Sequence, residues 1–135
     1  LAATRPAHAV VHLHGDLGAG KSTLARALLR ALGVQGAIRS PTYTLIEVYA
    51  VSRIALYHFD FYRFTHADEF LEAGLEEYFD GSGVCLVEWP DKALPHVPPP
   101  DLEIRLQLAG AGRMARIHAC SPRGQECLKR AQLQA

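Results

Sequence analysis

Gly15-Asp16-Leu17-Gly18-Ala19-Gly20-Lys21-Ser22-Thr23 decides how this chain folds. It is a literal G-x-x-x-x-G-K-[ST], the spacing of a phosphate-binding loop. The glycines let the backbone turn tightly and aim successive N–H groups inward, making an anion nest at a helix N-terminus. Lys21 brings a compact positive charge to β- and γ-phosphates, and the Ser22 hydroxyl is of the kind that ligates Mg2+. The neighbouring sequence agrees. Ala9–His14 is a short apolar run that predicts a buried strand ending at Gly15. From Lys21 to Leu32, Leu24, Leu28 and Leu32 recur every fourth residue while Arg26 and Arg30 mark another face, which predicts an amphipathic helix stopped by Gly33. The order strand, loop, helix argues against a plain glycine turn that merely caps a helix.

Further along, β-branched and aromatic residues predict extended stretches at Tyr43–Val51 and Arg53–Phe61. Thr65 with Asp68 predicts a capping box opening a helical segment with Leu71, Leu75 and Tyr78 inside, and Gly74 is placed to split it. Val84–Glu88 predicts an apolar strand ending on a carboxylate. Pro95–Pro100, with four prolines, predicts an extended connector. Leu102–Leu108 and Arg113–Ala119 predict a hairpin turned through Gly110-Ala111-Gly112, followed by a terminal helix.

Composition limits what such a chain can be. Its 135 residues suit one domain, and 49% hydrophobic with 21% charged residues is an ordinary globular balance. Lys+Arg and Asp+Glu are both 14, so the electrostatic footprint of a general nucleic-acid or membrane-surface binder is missing. No apolar run approaches a membrane span. Cys85, Cys120 and Cys127 form no CxxC pair, and their odd number argues against a disulfide framework and for a reduced cytosolic protein. The chain opens at Leu1 without an initiator methionine, and the expectation is that an N-terminal segment is missing from it. Charge is unevenly spread: an acidic run from Asp68 to Glu88 precedes a basic C-terminal region from Arg105 to Arg130, read as solvated faces or as an acidic partner surface and a basic edge near phosphates.

A phosphate loop identifies binding, and other segments must say what it serves. No [NT]-K-x-D guanine reader occurs, and Asp80-Gly81-Ser82-Gly83 precedes a strand where the GTPase D-x-x-G would follow one. A small-molecule kinase, the alternative reading, needs an arginine-bearing lid; between the loop helix and Glu88 only Arg39, Arg53 and Arg63 are on offer. Three further segments stand out. Ser40-Pro41-Thr42-Tyr43-Thr44-Leu45 places hydroxyls on a proline-stiffened turn where phosphate-loop proteins keep a γ-phosphate sensor. Tyr57-His58-Phe59-Asp60 and Cys85-Leu86-Val87-Glu88-Trp89-Pro90 each end a strand on a carboxylate.

Together with Gly15–Thr23, these segments closely resemble the bacterial ATPase family required for threonylcarbamoyladenosine modification of tRNA, the TsaE type. The resemblance runs from the first strand to the C-terminal hairpin. It implies a three-layer α/β P-loop NTPase fold with a largely parallel sheet and an antiparallel C-terminal hairpin, a single domain over 1–135. It implies ATP with Mg2+, slow hydrolysis by the isolated chain, and threonylcarbamoyl-transfer subunits as partners that act on adenosine 37 of tRNAs reading codons that begin with A. Direct base-specific contact and membrane association are not expected. By position in the motifs, the metal pair is Ser22 and Glu88. The nucleotide-binding set is Gly18, Ala19, Gly20, Lys21, Ser22 and Thr23 with Arg113, and the catalytic set is Lys21, Thr42, Asp60 and Glu88. Family members usually start with an additional strand-and-helix segment, part of which approaches the adenine; this chain departs from them there.

Several of these residues also have plain structural roles open to them. Glu88 can be a strand-end acid meeting solvent, and Asp60 can cap the next turn or bond Arg63. Trp89 is equally a core edge or a functional aromatic, and Thr42 and Thr44 can be ordinary turn residues. Lys21 is expected at the mouth of the nest with no part in packing. His12 and His14 share one strand face but lack a third ligand in the sequence pattern, so both are expected to be core residues.

Overall fold

In the computed structural model, residues 8–16, 20–39, 41, 44–51 and 54–134 are described. Six strands form one sheet: β1 (Ala9–His14), β2 (Ile46–Val51), β3 (Ile54–Asp60), β4 (Gly83–Glu88), β5 (Leu102–Ala109) and β6 (Gly112–Ala119). Their order is β2-β3-β4-β1-β5-β6. The four inner strands run parallel, with Asp60 beside Glu88, Leu13 beside Glu88, and His12 beside Glu103. β5 and β6 pair antiparallel through the predicted glycine turn. A second antiparallel pair, β2 with β3, closes the opposite edge. Every residue of β4 is buried, as expected of a parallel strand covered on both faces.

Side-chain alternation divides the sheet into two packed faces. Val11, Leu13, Leu56, Val84, Leu86, Leu102 and Ile104 meet α1 (Lys21–Ala31) and Cys127 of α3 (Pro122–Gln134). Phe59, Cys85 and Val87 meet a layer, half of it aromatic, made by Phe61, Phe64, Phe70, Leu75, Ala93 and Val97. The predicted three layers are therefore present. The buried stripe of α1 centres on Ala25, Leu29 and Leu32, while Leu24 and Leu28 flank it. The helix stops as the sequence predicts: Gly33 N–H reaches the Arg30 carbonyl and Val34 N–H the Leu29 carbonyl, each at 3.0 Å. This double closure needs the left-handed backbone of Gly33, at φ +113°.

The segment after β3 differs from its prediction. Glu69, rather than Asp68, answers Thr65: its Oε2 accepts from Thr65 N–H at 2.6 Å and Thr65 Oγ1 at 3.2 Å. Asp68 pairs instead with His96 Nε2 at 2.8 Å. The resulting helix α2 (Glu69–Glu72) is only four residues long. Gly74 separates it from a 3₁₀ turn over Leu75–Phe79. The shorter helix rotates the inner face, so Phe70 is fully buried and Leu71 is 46% exposed.

Asp101, between the proline connector and β5, ties both ends of the chain to the sheet. Its Oδ2 accepts from Val10 N–H at 2.8 Å and its Oδ1 from Ser121 Oγ at 2.6 Å. A Cβ on Gly124 of α3 would lie 1.8 Å from the Asp101 carbonyl oxygen. Gly124→Ala must therefore push α3 off the sheet. Because Cys127 is buried and Cys120 exposed, the substitution should make Cys127 react with a thiol reagent at a rate approaching that of Cys120. Unchanged protection of Cys127 would contradict this packing.

Candidate functional site at the phosphate loop

The loop joins the C-terminal end of β1 to the first turn of α1, where unpaired N–H groups and the helix dipole favour an anion. Gly20 stands at the helix start with φ +103°. Only glycine suits that angle, and a Cβ there would also sit 3.2 Å from Nε of Arg113. The hairpin arginine of β6 thus reaches the loop past the one intervening strand, β5, which sequence distance conceals. Gly18, Ala19 and Thr42 lie outside the described residues; Thr23 is exposed on the first turn of α1.

Lys21 is not at an open mouth. It is 5% exposed. Its ammonium donates to the Gly15 carbonyl and, at 2.9 Å, to the Asp16 carbonyl. It lies 4.4 Å from the centre of the Trp89 ring, a cation–π arrangement. Burial pushes its pKa below the ordinary lysine value, against the pull of Glu88, Asp60, Asp16 and Asp91. The ammonium is thus held by carbonyl oxygens in a low-dielectric niche.

Glu88 sits at the end of β4 and is 2% exposed, which removes the solvent-facing alternative. Its two oxygens have separate tasks. Oε2 accepts from His58 Nε2–H at 2.6 Å, and Oε1 accepts from Ser22 Oγ at 3.3 Å. Two neighbouring oxygens of an octahedral Mg2+ site are separated by roughly 2.9 Å, given metal–oxygen distances of about 2.0–2.1 Å. A hydroxyl and a carboxylate oxygen this close, beside an anion nest, suit that hard cation. Asp60 ends β3 in register with Glu88 and is also buried. Its Oδ1 accepts from Tyr62 N–H at 3.0 Å, so it does cap the following turn. Thr44 takes its turn role as well, donating to the Ile46 carbonyl at 3.2 Å.

Trp89 has φ +59° and ψ +48°, a left-handed conformation that is strained for a bulky residue. The twist turns its ring over Lys21 and against Tyr62, with ring centres 5.1 Å apart. Trp89 also lines a cavity of about 550 Å3 with Gly15, Asp16, Asp91, Glu103 and Arg105. It is therefore an aromatic of the site. His58 belongs to no motif of its own in the sequence. The available signal was its alternation with Asp60, which puts both on the α1 side of a strand ending at the loop.

A parallel sheet whose first strand passes through G-x-x-x-x-G-K-S into a helix, with a neighbouring strand-end acid on the loop serine, defines a P-loop NTPase-like α/β domain. The profile of the family described as "Threonylcarbamoyl adenosine biosynthesis protein TsaE" matches residues 1–116. The chain belongs to this TsaE family. The tRNA threonylcarbamoyladenosine biosynthesis protein TsaE of Haemophilus influenzae is 42% identical over 97 residues, covering 72% of this chain and 61% of the relative. The Bacillus subtilis protein of the same name is 44% identical over 101 residues, covering 75% and 63%. That of Treponema pallidum is 39% identical over 103 residues, covering 76% of each. The chain thus matches about six-tenths of the length of the first two relatives. The crystal structure of Bacillus subtilis YdiB superposes with a TM-score of 0.81 at 33% identity, covering 99% of this chain and 84% of that one.

The His58–Glu88 pair is a buried polar unit, and removing one member strands the other. His58→Phe should cost about 2 kcal/mol of stability in urea unfolding. Adding Glu88→Met to it should recover part of that loss, because the stranded carboxylate is then gone. Strictly additive costs would show that the two side chains are not coupled.

Proposed function

We propose that the chain binds ATP with Mg2+ at its phosphate loop, hydrolyses it slowly alone, and acts with threonylcarbamoyl-transfer subunits in N6-threonylcarbamoyladenosine modification. The modified position is adenosine 37 of tRNAs reading codons that begin with A. The observation that carries the ATP reading is the contact between Ser22 Oγ and Glu88 Oε1, 3.3 Å long, at the end of the strand beside the loop. Family membership supports the pathway, and the names of the relatives supply its chemistry.

Lys21 supplies positive charge for the phosphates, and the loop from Gly18 to Thr23 supplies backbone N–H donors. Arg113, lying against Gly20, adds a guanidinium at the nucleotide edge of the loop. Ser22 and Glu88 would hold Mg2+, whose chemistry is to neutralise charge on the β- and γ-phosphates. His58 fixes the far oxygen of Glu88, so the near one keeps its aim at Ser22. Asp60, beside Glu88, belongs to the catalytic set by its motif position, and Thr42 to the turn that would sense the γ-phosphate. Among the described residues no helix is long and apolar enough to cross a membrane, and a cytoplasmic place beside tRNA-modifying subunits fits this role. The equal numbers of acidic and basic residues favour a surface that meets protein subunits rather than RNA phosphates.

Glu88→Gln should retain ATP binding while slowing phosphate release and shifting its Mg2+ dependence to higher concentration. The amide keeps the size of the side chain and loses the charge that holds a hard cation. A Mg2+ titration of activity that superimposes on the unsubstituted protein would overturn the assignment. The transfer subunits should raise turnover by supplying charge or loop order in trans, which reaches about 10³–10⁵ in related phosphate-loop systems. Phosphate-release assays with and without those subunits check it; an unchanged rate would make the chain a nucleotide-gated binding module.

A further inference from the structure

His12 and His14 point to the face of β1 opposite α1, and the parallel register with β5 places Glu103 next to His12. The third ligand that the sequence pattern lacked is thus supplied by a strand about ninety residues away. One ligand atom from each of His12, His14 and Glu103 lies within 4.8 Å of the others. We propose that these three residues form a binding site for a borderline divalent transition-metal ion of the Zn2+ class, separate from the Ser22–Glu88 pair.

Each side chain is arranged as a ligand would be. His12 Nε2–H donates to the Pro98 carbonyl at 3.1 Å, which fixes the ring and leaves the Nδ1 lone pair unused by that bond. Such a backbone anchor is the usual outer support of a metal-bound imidazole. His14 Nε2 is buried and has no hydrogen-bond partner. Its facing atom, Glu103 Oε1, is 3.6 Å away, too far for a hydrogen bond. Two ligands of a tetrahedral Zn2+ are separated by roughly 3.3 Å when metal–ligand distances are about 2.0–2.1 Å. The other oxygen of Glu103, Oε2, is 3.6 Å from Arg105 Nη2, and Arg105 is paired with His14 across β1 and β5, so a bound ion would have to draw Glu103 from this guanidinium.

The donor set selects the ion. Two imidazoles and one carboxylate suit Zn2+ and its neighbours, whereas Mg2+ and Ca2+ prefer oxygen alone. Core filling explains His12, which is 4% exposed. It does not explain why the His14 nitrogen makes no hydrogen bond and faces the Glu103 carboxylate at an ion-pair distance that is also of metal-ligand width. His14 and Glu103 also line the 550 Å3 cavity shared with Gly15, Asp16 and Trp89. Three protein ligands and an accessible fourth position are the arrangement of an open Zn2+ site. A bound ion would clamp β1 to β5 one residue before the phosphate loop begins.

The test is Zn2+ and Co2+ titration of the chelator-treated chain, followed by calorimetry, the visible Co2+ spectrum and thermal unfolding. One equivalent of Zn2+ should bind and raise the melting temperature. His14→Gln and Glu103→Gln should each weaken binding at least about ten-fold. Neither residue fills the hydrophobic core, so both variants should fold, with circular dichroism as the check. Cys120→Ser and Ser22→Ala should bind Zn2+ as before, and Mg2+ in large excess should not displace it. No binding, or binding lost with Cys120→Ser and indifferent to His14→Gln and Glu103→Gln, would overturn the site.

Discussion

The carboxylate of Glu88, gripped from both sides, is the interaction on which the candidate ATP site depends. His58 donates to one oxygen at 2.6 Å and Ser22 to the other at 3.3 Å. Each donor comes from a different element: β3, and the first turn of α1. The parallel register of β3, β4 and β1 sets those elements side by side. A one-residue slip in any of these pairings would turn its side chains to the opposite face. Fold and site are consequently the same specification. The apolar alternation that buries Leu86 under α1 also aims Glu88 at the loop.

Around that carboxylate several groups are held in costly states. Lys21 is buried against two carbonyls and the Trp89 ring, so its charge is poorly solvated. Trp89 is held in a left-handed backbone conformation, a cost of about 1–3 kcal/mol that the surrounding packing must offset. Arg113 approaches Gly20 so closely that a Cβ there would sit 3.2 Å from its Nε and push the side chain aside. Strain, desolvation and close approach all gather at one end of the sheet, where ligands bind in open α/β folds.

Much of this was legible in the sequence because local rules and global fold agree. The phosphate loop, the glycine-stopped helix, β4 and the C-terminal hairpin each carry a local signal strong enough to be placed correctly. The motif spacing already sets Ser22 and Lys21 on the loop and Glu88 on a strand end, and the structure brings the three side chains together. The capping partner of Thr65 is Glu69 rather than Asp68 because the two are adjacent and equally competent acceptors, and only the fold chooses between them. His58 and Glu103 went unrecognised for a different reason. Their roles exist only through strand register, and no local pattern reports which strands become neighbours. Lys21 was expected in the open because the ring that covers it comes from residue 89, after a turn whose handedness the sequence does not announce.

Trp89 is the only tryptophan in the chain, and it lies on the Lys21 ammonium. Its emission is therefore an internal reporter of where that charge sits. The decisive measurement is the fluorescence of the protein titrated with Mg-ATP, with affinity measured in parallel by calorimetry, for the unsubstituted chain and for Lys21→Ala. Phosphates that draw Lys21 from beneath the ring should change the emission saturably, with the same midpoint as the heat of binding. Lys21→Ala should bind ATP much more weakly and lose the signal. Equal ATP affinity in both proteins, or tight binding that leaves Trp89 emission untouched, would contradict the placement of nucleotide phosphates at this loop.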